Sequence, residues 1–262
     1  MRILKAVLRD LLAGNRRAPD PPVTARDKGS SMNPLVDYLE RHPNGRQVHR
    51  LRHYFDIYHR HLARFRGQRV TMIEIGVFNG GSLPMWRDYF GPQATIVGVD
   101  INAGCTRFAE SHIDIVIGDQ SDRPFLRSLA DRYPDCAIVL DDGGHRMDQQ
   151  IATFEELYPR LRSDAVYICE DIGTSYIPAF GGGHGRPHTF IETVKRLVDR
   201  LNADYSTDPA ALAPDAFTRS TDAIHLYDNV VVIEKAPRGK SETVLYGSEA
   251  PFRYIGASLS GE

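Results

Sequence analysis

The 262-residue chain contains no apolar run long enough to span a bilayer, only three cysteines and a formal net charge of just -2. Each scarcity excludes something. Cys105, Cys136 and Cys169 lie far apart, form no Cys-x-x-Cys and leave one thiol over from any pairing. That argues against a disulfide framework or a thiolate zinc site, and for a reducing cytoplasm. A near-neutral chain carries no global field that would draw it to nucleic acid or to an anionic membrane. The opening stretch MRILKAVLRDLLAGNRR is interrupted by Lys5, Arg9 and Asp10, so it lacks the apolar centre of a secretory signal. Its Ile3, Leu4, Val7, Leu8, Leu11 and Leu12 recur at helical spacing. This reads as a short helix docking on its own protein or on a second copy of the chain, with a weak membrane-surface contact as the alternative.

What is present has a clear period. Residues 1–33 are expected to hold that helix and a polar, Gly- and Pro-containing linker. Residues 34–66 are expected to form an amphipathic lead-in of one or two helices, with Leu35, Tyr38, Leu39, Leu51, Tyr54, Phe55, Tyr58, Leu62 and Phe65 at three- and four-residue steps. Then VTMIEIG (70–76), TIVGVD (95–100), IDIVIGD (113–119), CAIVLDD (136–142) and AVYICED (165–171) appear as short β-rich runs. Helical segments at 82–90, 106–111, 122–133, 149–161 and 189–201 lie between or after them. Strands alternating with helices imply a mostly parallel α/β sheet covered on both faces. AIHLY (223–227) and NVVVIEK (229–235) suit an antiparallel pair at its edge. The core domain is expected over 67–238, with a C-terminal tail over 239–262.

In such a sheet ligands bind beyond the carboxyl ends of the strands. Asp100, Asp119, Asp141, Asp142, Glu170 and Asp171 all fall there, from four different strands. Six acids on one rim repel one another unless a cation or hydrogen-bond donors neutralise them. The loop after the first strand, Glu74-Ile-Gly76-Val-Phe-Asn-Gly80-Gly-Ser82, is neither a dinucleotide fingerprint nor a P-loop. Its Glu-x-Gly-x-x-x-Gly pattern resembles motif I of class I methyltransferases, although a plain glycine turn would share the spacing. Asp100 ends the second strand 24 residues after Gly76, where an acid can accept from both ribose hydroxyls. Gly118-Asp119-Gln120 ends the third, placed to reach an adenine edge. Together they point to an adenosyl cofactor rather than NAD.

Asp142, Glu170 and Asp171 end two strands expected to be neighbours. Three carboxylates there make a hard oxygen site suited to Mg2+, which keeps positions for water or substrate oxygens. His145 follows Asp142 by three residues, close enough to stand beside the metal and take a proton from a substrate hydroxyl. The alternative is that Asp142 and His145 cap the next helix.

HYFDIYHRHL (53–62), EIGVFNGGSLPMW (74–86), GVDI (98–101), IGDQSD (117–122), LDDGGH (140–145), EDIGTSY (170–176) and LYDNVVVIEK (226–235) together resemble metal-dependent sugar O-methyltransferases. The resemblance spans roughly residues 49–235. It implies a Rossmann-like class I methyltransferase sheet, S-adenosylmethionine and Mg2+ as cofactors, and a sugar hydroxyl of a glycoside, glycolipid or polysaccharide as acceptor. Mg2+ would rest on Asp142, Glu170 and Asp171, with His145 as base. Glu74, Gly76, Gly80, Ser82, Asp100, Asp119, Gln120 and Asp141 would serve the cofactor. Tyr58 would cover the cofactor carboxylate, or else pack in the core. The resemblance does not extend to the long N-terminal auxiliary domain of the macrolide-sugar enzymes, so their assembly and acceptor are not expected to transfer automatically. An amino-sugar N-methyltransferase, a catechol O-methyltransferase and a non-catalytic adenosyl-cofactor binder are the competing functions. The Gly-rich loop 178–188 stands beyond the rim as a candidate lid, carrying His184 and His188.

Overall fold

The computed structural model describes residues 33–244 and 246–248. The helix and linker expected over 1–33 fall outside these residues apart from Asn33, as does most of the C-terminal tail. Seven strands build one sheet: β1 (Thr71–Ile75), β2 (Thr95–Asp100), β3 (Ile113–Ile117), β4 (Cys136–Asp141), β5 (Val166–Glu170), β6 (Thr221–Tyr227) and β7 (Val230–Lys235). Their order across the sheet is β3-β2-β1-β4-β5-β7-β6. The first five are parallel, and β7 runs antiparallel to both β5 and β6. The chain winds outward from β1 to β3, then returns to lay β4 on the other side of β1. The reversal leaves a crevice between the tips of β1 and β4, the place where open α/β sheets bind ligands.

Seven α-helices flank the sheet among the described residues: α1 (Pro34–Arg41), α2 (Tyr54–Leu62), α3 (Ser82–Phe90), α4 (Arg123–Arg132), α5 (Met147–Leu157), α6 (Phe190–Leu201) and α7 (Ala216–Ser220). Alternation along each strand divides the core in two. Met72 and Ile96 point to the face covered by α1, α2 and α3, with Tyr58, Leu62, Trp86 and Phe90. Ile73, Ile75, Val97 and Val99 point to the face covered by α4, α5 and α6, with Leu126, Phe154, Phe190 and Val194. Burying side chains of this size contributes about 1.5–3 kcal/mol each, so both helical layers are held firmly.

Local chemistry sets the helix ends. Asp122 caps α4, its carboxylate accepting from the Phe125 N–H at 3.4 Å. Thr189 caps α6 by accepting from the Glu192 N–H at 3.4 Å. The lead-in 34–66 forms two helices, α1 and α2, with turns and irregular backbone over residues 42–53 between them. His42-Pro43-Asn44-Gly45 supplies the break, since proline and glycine both end helices. The helix expected at 106–111 is a 3-10 run over Ala103–Phe108, started by the Asn102 side chain, which accepts from the Gly104 N–H at 2.9 Å.

Candidate active site

Registry brings the tips of β1, β4 and β5 side by side: Ile75 pairs with Asp141, and Asp141 with Cys169. The loop after β1 turns at Gly76, whose φ is +99°. A Cβ there would collide with the Asp142 carbonyl oxygen, so only glycine fits. The Asp142 N–H donates to the Ile75 carbonyl at 3.0 Å. The glycine loop and the β4 tip therefore lie in direct backbone contact.

Asp100 closes β2 and holds that loop in shape. Its Oδ2 accepts from the N–H groups of Val77 and Phe78 at 3.0 and 3.1 Å, and its Oδ1 from Asn102 N–H at 2.9 Å. Asp119 accepts from the Ser121 N–H and hydroxyl, both at 2.8 Å. Gln120 is buried and ties two strand tips together: its Nε2 donates to Asp141 Oδ1 at 2.5 Å and its Oε1 accepts from Gly144 N–H at 3.0 Å. Asp141 also accepts from the Tyr167 hydroxyl at 3.3 Å. Burial pushes the Asp141 carboxyl up to about 6, against the opposing pull of His145, the Gly143 N–H and Gln120.

Glu74 lies beneath the loop, fully buried. It accepts from Ser82 Oγ at 2.8 Å and Trp86 Nε1 at 3.3 Å, and pairs with Arg50 at 2.7 Å. Its polar atoms are thus engaged within the chain. Gly80 has φ +70° and rests against the Phe108 ring, with no room for a Cβ.

The metal-ligand candidates converge unevenly. Ligand atoms of Asp142, His145 and Asp171 all lie within 4.8 Å of one another. His145 Nε2 stands 3.9 Å from Asp142 Oδ1 and 3.6 Å from Asp171 Oδ2. Neither Asp142 nor His145 caps α5, whose N-cap is Arg146. Asp171 Oδ1 accepts from Tyr54 OH and Asn229 Nδ2, both at 2.8 Å. Glu170 sits deeper, accepting from the Tyr58 hydroxyl. Burial raises the Glu170 pKa well above the usual carboxylate range, although Arg50 opposes it. Tyr58 is wholly buried at that contact.

Two residues here escape sequence reasoning. Arg50, from the non-helical stretch before α2, places its guanidinium among three acids: 2.5 Å from Asp142, 2.7 Å from Glu74 and 3.2 Å from Glu170. Asn229, in the β6–β7 turn, donates to both Asp171 and Tyr54. The Asp228-Asn229 pair signals a hairpin turn but nothing of this role. Backbone strain also gathers at the rim. Among described non-glycine residues, positive φ occurs at Phe78, His112, His145, Asp171 and Asn229. All but His112 stand at the rim, where such conformations cost about 1–3 kcal/mol each and are held by surrounding contacts. One of these contacts is the Thr174 hydroxyl, which donates to the His145 carbonyl at 2.9 Å. His184 and His188 are exposed, and His184 lies against the Tyr176 ring.

No family model matches the chain. Curated relatives do. An 8-demethyl-8-(2-methoxy-alpha-L-rhamnosyl)-tetracenomycin-C 3'-O-methyltransferase of Streptomyces olivaceus is 35% identical over 78% of this chain and 54% of its own length. The 8-demethyl-8-alpha-L-rhamnosyl tetracenomycin-C 2'-O-methyltransferase of the same organism is 37% identical over 70% of this chain and 50% of its own. Mycinamicin VI 2''-O-methyltransferase of Micromonospora griseorubida is 34% identical over 68% and 47%. The chain therefore spans about half the length of the curated relatives it matches. Among solved structures, MycE methyltransferase from the mycinamycin biosynthetic pathway, in complex with Mg and SAH, superimposes with a TM-score of 0.71 at 32% identity. That match covers 80% of this chain and 56% of MycE. By sequence and by fold, the chain is similar to these O-methyltransferases over about half of their length, and its sheet is that of a class I methyltransferase.

Proposed function

We propose that the protein transfers the methyl group of S-adenosylmethionine to a sugar hydroxyl of a glycoside, glycolipid or polysaccharide, with Mg2+ held at the rim. One observation carries this reading: Asp142, Asp171 and His145 meet within 4.8 Å of one another, beside the glycine loop of β1. The donor set suits a hard divalent cation that leaves positions for substrate oxygens. The Arg50 guanidinium already among these acids marks their demand for positive charge. The rhamnosyl positions in the relatives' names support a sugar acceptor.

Asp142 and Asp171 would hold the metal, with Glu170 as the third carboxylate of the set. The cofactor would lie along Gly76–Ser82, against Asp100 and Asp119. Glu74, Ser82, Gln120, Asp141 and Tyr58 support it from behind, through bonds already made within the chain. Residues 67–238 carry this machinery and 34–66 brace it. When bound, the sulfonium supplies an activated methyl group and Mg2+ lowers the pKa of a chelated hydroxyl. His145 Nε2 faces the same space and takes the hydroxyl proton as its oxygen attacks. Tyr54 and Asn229 fix Asp171 so that its other oxygen stays directed at His145. Cys105, Cys136 and Cys169 are buried free thiols, which suits a reducing cytoplasm. Among the described residues no helix is long and apolar enough to cross a membrane.

The test is methyl transfer from labelled S-adenosylmethionine across a panel of glycosides, with and without chelator. Product with a methoxy sugar, lost in chelator and restored by Mg2+, is the expected result. Methylation of an amine that persists in chelator would overturn the proposal.

A further inference from the structure

A second cluster of metal-ligand type lies away from the rim. His61 sits in the last turn of α2, and His225 and Glu234 lie on the antiparallel pair β6–β7. His61 Nδ1 is 3.2 Å from Glu234 Oε1, and His225 Nε2 is 3.2 Å from Glu234 Oε2. One ligand atom from each residue falls within 4.8 Å of the other two. We propose that His61, His225 and Glu234 form a second metal site, selective for a borderline divalent cation such as Zn2+ and separate from the acidic rim.

The geometry suits such an ion. A tetrahedral centre with bonds of about 2.0–2.1 Å has ligand–ligand edges of roughly 3.3 Å. Both nitrogen–oxygen separations are close to that length, one to each oxygen of the Glu234 carboxylate. Two imidazoles and one carboxylate favour zinc over Mg2+, which prefers oxygen donors. The second nitrogen of His61 has its own partner. Its Nε2 lies 2.8 Å from the Tyr227 hydroxyl. Ligating imidazoles almost always make such an outer bond, which fixes the tautomer and aims the other nitrogen.

The neighbouring cations do not block the site. Arg64 stands 3.8 Å from Glu234, half exposed, and donates instead to the Asp164 carbonyl at 3.0 Å. Arg60 is bonded to the Tyr227 hydroxyl at 3.2 Å. Registry separates the cluster from the rim. Glu234 pairs with Val166 at the start of β5, whereas Val230 pairs with Glu170 at its end. Four residues of strand amount to roughly 13 Å. A cation here would clamp the end of α2 to the edge hairpin. The other turns of the same helix carry Tyr54 and Tyr58, which hold Asp171 and Glu170.

The experiment is Zn2+ uptake by the full chain in excess Mg2+, read by equilibrium dialysis with metal analysis and by the shift in thermal unfolding. Wild type should bind one Zn2+ per chain and unfold at a higher temperature. His225 is more than one-third exposed, so His225→Ala should fold normally and lose that uptake and that shift. Tyr227→Phe keeps all three ligands and should weaken uptake by about 10–100-fold, the usual cost of losing an outer-shell partner. Asp171→Asn, at the rim, should leave Zn2+ uptake unchanged. Uptake in His225→Ala equal to wild type, no uptake by wild type, or uptake lost in Asp171→Asn would each overturn the proposal.

Discussion

Arg50 and Asp142 meet at 2.5 Å in a site from which the arginine side chain is almost wholly excluded from solvent. The guanidinium also reaches Glu74 and Glu170, so one buried cation is shared by three strand-end acids. Arg50→Gln leaves those acids buried without it. Breaking a buried pair from one side costs about 3–5 kcal/mol, and chemical denaturation should show a loss of that order. Mg2+ should restore more stability to the variant than it adds to wild type. An equal Mg2+ effect on both proteins would separate Arg50 from the cation site.

His145→Ala should lower kcat by about 10²–10⁴, the usual worth of a general base. Affinity for the cofactor product, measured by calorimetry, should be nearly unchanged. A variant that recovers turnover at high Mg2+ would show that the ring is a ligand rather than the base.

Asn229 adopts a φ of +66°, a conformation glycine also accepts. Asn229→Gly therefore removes the amide while keeping the turn. With its two bonds to Asp171 and Tyr54 gone, Mg2+ affinity should fall by about 10–100-fold. Isothermal titration with Mg2+ measures this directly, and unchanged affinity would make the asparagine a turn residue only.

Lys235 is buried, donating to the carbonyls of Tyr158 and Leu161 at 3.0 and 3.1 Å, with no carboxylate partner among the described residues. Burial lowers its pKa below the ordinary 10.5. In the window between the depressed folded value and 10.5, the unfolded chain binds more protons than the native one. Stability contributed by this residue therefore rises with pH across that window. Denaturation curves against pH should show this slope in wild type and its loss in Lys235→Met, read as the difference between the two proteins.

The acids of the rim were legible in sequence because each closes a β-rich run, and strand ends in such sheets face the ligand crevice. The β1 loop was legible from its glycines, and the parallel order from alternating strands and helices. Arg50 was not. Its partners are Glu74, Asp142 and Glu170, far along the chain, and nothing in the irregular stretch 42–53 between the two lead-in helices marks one arginine as reaching them. Asn229 was hidden for a similar reason: a turn dipeptide looks the same whether or not its side chain reaches a distant acid. His225 reads as an isolated residue of a late strand until the fold brings His61 and Glu234 to it.

The contact between Gly76 and Asp142 bears on how this scaffold can be re-engineered. The β1 turn accepts no added carbon because the β4 backbone occupies that space, and the Asp142 N–H is bonded to the carbonyl of Ile75. Enlarging the cradle for bulkier sulfonium analogues by changing the β1 loop alone would displace Asp142 as well. Library design for such analogues should vary the two loops jointly and select for pairs of changes.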